Sequence, residues 1–246
     1  MICGVNIGGK DTLEEWGLML CNDLTIGAAV PRYRFIKIPE MSGALDLTEA
    51  LTGSVPYDQR TITFTLFAVH DVIAGTRSPA TEEHFQTVLA RFSGFANGKR
   101  LHVYLPDNPD HYFVGRVSVG GKSGYNSGRV KVEVLADPYR IKDGETTLTV
   151  DESLLGKNNV WSNDGDISEL VYMFTDEIII NNEGMPAIPT INASEAGPTV
   201  TLRGASHVLA AGDNRFSDFV LQSGENVMQV EDPAGTLTIK YQEGML

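Results

Sequence analysis

Two stretches of this chain alternate so regularly that each is read as a half-buried strand. In Arg60–Val69, Ile62, Phe64, Leu66 and Ala68 fall on one side; Thr61, Thr63, Thr65 and Phe67 fall on the other. In Arg129–Leu135, Val130, Val132 and Val134 oppose Arg129, Lys131 and Glu133. A side-chain period of two sends one set to a core and the other towards water, and threonine suits the wetter face. Leu101–Leu105 and Tyr112–Val119 read as two more strands joined by the turn-rich PDNPDH. Tyr112–Val119 and Arg129–Leu135 then form a hairpin whose tip is the glycine- and serine-rich Gly120–Gly128. Shorter strands are expected at Trp16–Cys21 and Tyr33–Ile38, the latter stopped by Pro39.

One long helix interrupts the strands, at Pro79–Ala96. Pro79 suits a first helical turn, and Thr81, Glu82 and Glu83 supply caps and negative charge at the positive end of the dipole. Phe85, Val88, Leu89, Phe92 and Phe95 recur at spacings of three and four, giving one apolar stripe that packs on a sheet. His70–Ser78 before the helix reads as a loop. So does Ser42–Gly53, where Asp46 is placed to cap a helical turn.

The second part of the chain changes character. Residues 1–140 hold 14 Lys and Arg against 15 Asp and Glu, whereas residues 141–246 hold 5 against 17, so nearly all of the −13 net charge lies in the latter. Such a shift indicates two units, here 1–142 and 143–246. In the second, short strand candidates recur between Gly, Pro, Asn and Asp: Thr146–Val150, Glu169–Phe174, Asp176–Asn181, Thr190–Ala193, Thr199–Arg203, Asp218–Leu221, Val227–Val230 and Thr236–Tyr241. That rhythm reads as a sandwich. Gly184–Pro189 reads as an edge or crossover.

The function classes that leave local motifs are poorly represented. Neither unit has the basic stripe that neutralises phosphates, so sequence-specific nucleic-acid binding is not expected. No apolar run is long enough to span a membrane, and the N-terminus lacks the pattern of a signal peptide. Synthesis in a cytoplasm is therefore the expectation. Cys3 and Cys21 have no metal-type spacing and read as free thiols.

Candidate chemistry fares no better. Asn163–Glu169 (NDGDISE) hints at a calcium loop but puts Val160 and Val171 at the first and last ligand positions. Gly4–Gly9 lacks the strand and helix of a dinucleotide fingerprint, and Gly120–Gly128 lacks the Lys-Ser/Thr of a phosphate loop. His70, His84, His102, His111 and His207 are scattered; Ser42, Ser78 and Ser223 lack a nucleophile elbow. Asp107, Asp110 and His111 beside Tyr112 form a possible ligand loop, against which stands ordinary turn chemistry. No catalytic, cofactor-binding or metal-binding residue is assigned, and an enzyme is not expected.

Four local runs carry a family resemblance: I-P-x-x-x-G-x-L-D-L-T-E-A-L-T-G at Ile38–Gly53, R-x-x-x-F at Arg60–Phe64, D-x-Y-F-x-G-R at Asp110–Arg116, and A-D-P-Y at Ala136–Tyr139. Together, over about Trp16–Tyr139, they resemble the N-terminal domain of the distal tail protein (Dit) of long-tailed phages. Gly197–Thr199, Asp218–Leu221, Gly224–Asn226 and Gly235–Tyr241 resemble the galectin-like domain that follows it. The resemblance implies a mainly β chain: an N-terminal β-sandwich with one flanking helix and a β-hairpin extension, then a galectin-like β-sandwich.

It further implies a virion protein of the tail tip or baseplate, forming a homo-hexameric ring between the tail tube protein and the tail-tip hub, a tail-associated lysin-like protein. The ring leaves a channel for DNA, and the second domain carries receptor-binding or other peripheral proteins. Hairpin 112–135 is one candidate for the arm that embraces a neighbour. Two alternatives stand beside this: a carbohydrate-binding virion module, with Trp161, Tyr172, Phe174, Phe216, Phe219 and Tyr241 as the aromatic supply, and a tube protein of a phage-like secretion or bacteriocin particle. A galectin-like fold alone does not license sugar binding.

Overall fold

The computed structural model describes residues 3–40, 42–50, 53–73, 76–79, 81–122, 128–151, 160–161, 171–174, 177–182 and 184–246. Among the described residues strands dominate and two helices, Thr12–Trp16 and Glu82–Ala96, stand among them, so the mainly β expectation holds. The chain divides into two compact units, one of Met1–Ile36 with Val55–Asp143, the other of Lys37–Ser54 with Gly144–Leu246.

The first unit is built on one antiparallel sheet. Its order is Lys10–Asp11, Asn6–Ile7, Arg100–Leu105, Asn108–Lys122, Arg129–Lys142, Arg60–Ile73, Leu18–Leu20. Thr25–Ile26 and Thr76–Pro79 also pair with Arg60–Ile73. The period-two reading fixes the faces: Ile62, Phe64, Leu66 and Ala68 are buried with Val130, Val132 and Val134. Hairpin 112–135 is built into this sheet, with one strand paired to Arg100–Leu105 and the other to Arg60–Ile73. A register shift falls between Phe113 and Gly115. Gly115 is required there, since a Cβ would stand 2.6 Å from Val134 Cγ1 and 2.8 Å from Ala136 Cα.

The long helix runs Glu82–Ala96 under an N-cap from Thr81, and Phe85, Val88, Phe92 and Ala96 are buried on the sheet. Pro79 is not in its first turn. It ends the strand Thr76–Pro79, opposite Val69, an edge position where a missing N–H is tolerated. The expected loop His70–Ser78 is thus largely strand, because Arg60–Ile73 continues past Val69 and returns at Thr76.

Trp16–Cys21 is corrected too. Asp11 Oδ1 accepts from Leu13 N (2.8 Å) and Glu14 N (3.1 Å), capping a short helix Thr12–Trp16 that ends at left-handed Gly17, φ 66°. Only Leu18–Leu20 is strand. Trp16 then packs on Phe92 and Phe95, ring centroids 5.3 and 5.1 Å apart.

The second unit is a sandwich of two sheets. One orders Thr146–Asp151, Thr236–Tyr241, Thr190–Ala193, Gly212–Asn214; the other Val160–Trp161, Val171–Phe174, Glu177–Asn182, Gly224–Glu231, Thr199–Leu202, Ala205–Val208. Leu148, Ile191, Leu237 and Ile239 from the first meet Ile178, Val200, Leu202 and Met228 from the second in one core. Asp218–Leu221 is not a strand; only Leu221 makes a bridge, to Ala187. Ala205–Val208 and Gly212–Asn214 carry too few alternating apolar residues to be read from sequence.

Two turns of this unit share one construction, in Ala210–Asn214 and Gln222–Asn226. Asn214 Oδ1 accepts from Ala210 N (3.0 Å), while Nδ2 donates to Ala210 O (2.7 Å), Gly212 O (2.9 Å) and Ile191 O (3.3 Å). Asn226 Oδ1 accepts from Gln222 N (2.8 Å), while Nδ2 donates to Gln222 O (2.8 Å), Gly224 O (2.9 Å) and Ile180 O (3.4 Å). Both turns place glycine at positive φ, 95° at Gly212 and 91° at Gly224.

Candidate interaction surface

The surface feature that stands out in the first unit is an exposed apolar segment, Ile26–Ile36. It is held at its root by an irregular ladder along residues 56–63. Thr25 and Ile26 pair with Thr63 and Ile62, and Gly27 N donates to Thr61 O (2.8 Å). A Cβ on Gly27 would lie 2.9 Å from that same oxygen, so glycine permits the close approach. Farther on, Asp58 N donates to Val30 O and Arg32 N to Pro56 O, both 2.8 Å. Arg32 Nε also donates to Asp58 Oδ1 (2.8 Å).

Beyond this root the side chains are bare. Val30, Tyr33 and Phe35 are 57%, 61% and 59% exposed, and Ile26 and Ile36 are exposed as well. Tyr33 and Phe35 lie against each other, centroids 6.0 Å apart. Of the strand read over Tyr33–Ile38 only Phe35–Ile36 forms, and both its residues are exposed. Several large apolar side chains left open along one short segment make it the candidate contact surface of this unit.

Beside this root, Asp23 clasps Arg60–Ile73 by accepting from Thr65 N (3.0 Å) and from Thr65 Oγ1. Burial raises the Asp23 pKa, but the two Thr65 hydrogen bonds and Arg129 outweigh it and hold the carboxyl below its ordinary value.

Of the ligand loop weighed in the sequence only Pro106 and Asp107 are turn, and Asp110 and His111 lie in the strand Asn108–Lys122. Asn108 Oδ1 lies 2.9 Å from His111 Nδ1, and Tyr112 stacks on His102 (4.5 Å) and packs on Tyr104 (5.2 Å). Burial and then Asp143 push the Tyr104 and Tyr112 hydroxyls up. An open depression of about 610 Å³ adjoins them, lined among others by Asn6, Asp11, Glu14, Tyr104 and Asp143; Asp107, Asp110 and His111 do not line it.

The histidines stay on separate elements. His207 contacts both oxygens of Asp218 (2.9 and 3.0 Å) and stacks on Phe216 at 3.9 Å. The loop Asn163–Glu169 and the centre of the Gly120–Gly128 tip lie outside the described residues. Cys3 and Cys21 are free thiols, and burial raises that of Cys21. Among the described residues there is no group of three or more His, Cys, Asp or Glu placed to hold a metal ion, and no helix long and apolar enough to cross a membrane.

No family pattern matches the sequence, and no curated protein matches it. Solved structures do. The chain is similar to the crystal structure of SPP1 Dit (gp 19.1), described as a paradigm of the hub adsorption apparatus in Gram-positive-infecting phages, with a TM-score of 0.58 and 11% sequence identity. The similarity covers 99% of this chain and 99% of that one, so both units and their order are shared. At that identity the likeness speaks for the backbone and not for individual side chains. The chain has the fold of a phage distal tail protein.

Proposed function

We propose that this protein is a structural component of a phage tail tip, in which the first unit closes into a homo-hexameric ring. The ring joins the tail tube to the tail-tip hub, leaves a channel for DNA, and carries receptor-binding or other peripheral proteins on the second, galectin-like unit. The observation that carries this reading is the end-to-end likeness to SPP1 Dit. The exposed segment Ile26–Ile36 supports it physically, because a ring gives such a surface a partner on every subunit without open-ended growth. It replaces hairpin 112–135 as the favoured arm, since that hairpin is committed to its own sheet.

The role is architectural and not enzymatic on this reading. The carbohydrate-binding alternative finds little aromatic surface among the described residues. Phe219 and Tyr241 are buried, and one face of Phe216 is stacked against His207. The side chains of Trp161, Tyr172 and Phe174 lie outside the described residues.

The test is light-scattering mass with negative-stain images of the full chain, alone and with tube protein. Rings of about six copies with a central hole are expected. A strict monomer under both conditions overturns the reading.

A further inference from the structure

Two arginines of the first unit, one buried and one half-buried, have no carboxylate partner among the described residues. Arg60 opens the strand Arg60–Ile73 opposite Ala136, and Arg140 lies near the end of Arg129–Lys142 opposite Phe113. Arg60 is only 7% exposed and Arg140 half-buried. The Arg60 guanidinium sits 5.6 Å from the Phe113 ring centroid, and Phe113 is itself buried. The Nε atoms of both arginines are buried and without a hydrogen-bond partner. Burial first, and then the neighbouring Arg140 charge, lower the Arg60 pKa from its ordinary value.

The carboxylates nearest in sequence lie with other groups, Asp58 with Arg32, Asp137 with Arg100, and Asp143 with the Tyr104 hydroxyl. A chain with 32 acidic residues against 19 basic ones has acid to spare, yet these two cations flank one buried ring, Arg60 over Phe113 and Arg140 directly opposite Phe113 in the sheet. Two like charges held close together and partly out of water disfavour a fold unless something compensates them. The arrangement becomes favourable once an anion is shared between the two guanidinium forks.

We propose that Arg60 and Arg140 form a receptor for one oxyanion, held by charge-assisted hydrogen bonds from both guanidiniums, with Phe113 as the apolar floor. The oxyanion is either a free ion such as phosphate or a carboxylate offered by a second copy of this chain. The receptor stands whether or not the chain forms a ring.

The experiment uses the full chain. Melting temperature is followed in sodium chloride, sodium acetate and sodium phosphate at matched ionic strength, and mass is followed by light scattering over a range of protein concentrations. Wild type is compared with Arg140→Met, Arg60→Met and Arg140→Lys. In chloride, Arg140→Met is expected to melt at or above wild type, because the like-charge contact is gone.

A saturable rise of about 5 °C in phosphate or acetate, lost in Arg140→Met and smaller in Arg140→Lys, supports the receptor with a free ion as occupant. No rise, but a concentration-dependent association that Arg140→Met abolishes and phosphate competes away, supports it with a neighbour's carboxylate as occupant. If Arg140→Met and Arg60→Met both respond to anions and concentration as wild type does, the proposal is overturned. A lower melting temperature of Arg140→Met in chloride, with no anion dependence of the wild type, also overturns it and leaves the pair structural.

Discussion

Replacing Tyr33 and Phe35 together by serine separates assembly from folding. An aromatic residue offers roughly 200 Å² of surface. Tyr33 and Phe35 are 61% and 59% exposed in the single chain, so about 120 Å² of each remains to be covered by a partner. At about 25 cal/mol per Å² that is ~3 kcal/mol per side chain and ~6 kcal/mol for the pair, an upper value because ordering costs are left out. Half of that surviving in the assembled state would still weaken each subunit contact by about a hundredfold.

The isolated chain loses the ~80 Å² of each ring that it already covers, at most about 4 kcal/mol for the pair, and one tilted ring contact, so it should still fold. Light scattering should therefore report rings for wild type and monomers for the double variant at the same concentration, with a cooperative melt retained at a temperature lower by at most about 15 °C. A double variant that assembles like wild type removes Ile26–Ile36 from the interface. One that assembles poorly because it has unfolded shows that the segment belongs to the core, contrary to its exposure.

Other perturbations address the fold. Phe92→Ala, at a fully buried ring packed edge-on against Trp16, should cost about 3–5 kcal/mol in chemical denaturation, and Phe92→Asp should abolish soluble folding; wild-type stability in either variant refutes the helix–sheet core. Asn226→Ala leaves Gln222 N and several buried carbonyls without their partner, a loss of about 2–4 kcal/mol that a denaturation midpoint will read directly. Asp23 has a depressed folded-state pKa, so its contribution is complete above the ordinary carboxylate value of about 4 and fades as pH drops through the lower folded value. The stability gap between wild type and Asp23→Ala should then be largest near neutrality and close in acid; a gap that widens on acidification contradicts the Thr65 clasp.

The parts of this fold that sequence discloses are those where side-chain period and packing agree. Ile62 to Ala68 and Val130 to Val134 alternate because one sheet face is wet, and Phe85 to Phe92 repeat at helical spacing because one stripe is covered. Thr190–Ala193 and Thr236–Tyr241 are strands as read. Boundaries failed where one residue type serves two structures. Pro79 suits a helix start and an edge strand equally, and the strand register that decides places it opposite Val69, ten residues away. The helix Thr12–Trp16 is announced by Asp11 and Gly17, a cap and a stop that a search for apolar runs passes over.

The contact surface was harder still. Tyr33, Phe35 and Ile36 carry the same apolar signal as a core strand, and only the three-dimensional count of neighbours separates the two. The Arg60 and Arg140 pair leaves no mark in sequence, because charge counts do not say which cations lack an anion.

The twin turns at Ala210–Asn214 and Gln222–Asn226 bear on how quickly the second unit can form. One lies at the entrance to Gly212–Asn214 and the other at the entrance to Gly224–Glu231, so each sheet of the sandwich has its own. Most of their hydrogen bonds close within five residues and wait for no distant contact. The entropy of closing such short loops is small, and topologies rich in local contacts fold sooner than those that must find remote partners first. Each turn is therefore expected to form early, whereas the strands it introduces find their neighbours far off in sequence, Gly212–Asn214 on Thr190–Ala193 and Gly224–Glu231 on Glu177–Asn182. The slow step left to the sandwich is that remote pairing, which the two turns feed with strand ends already fixed in direction.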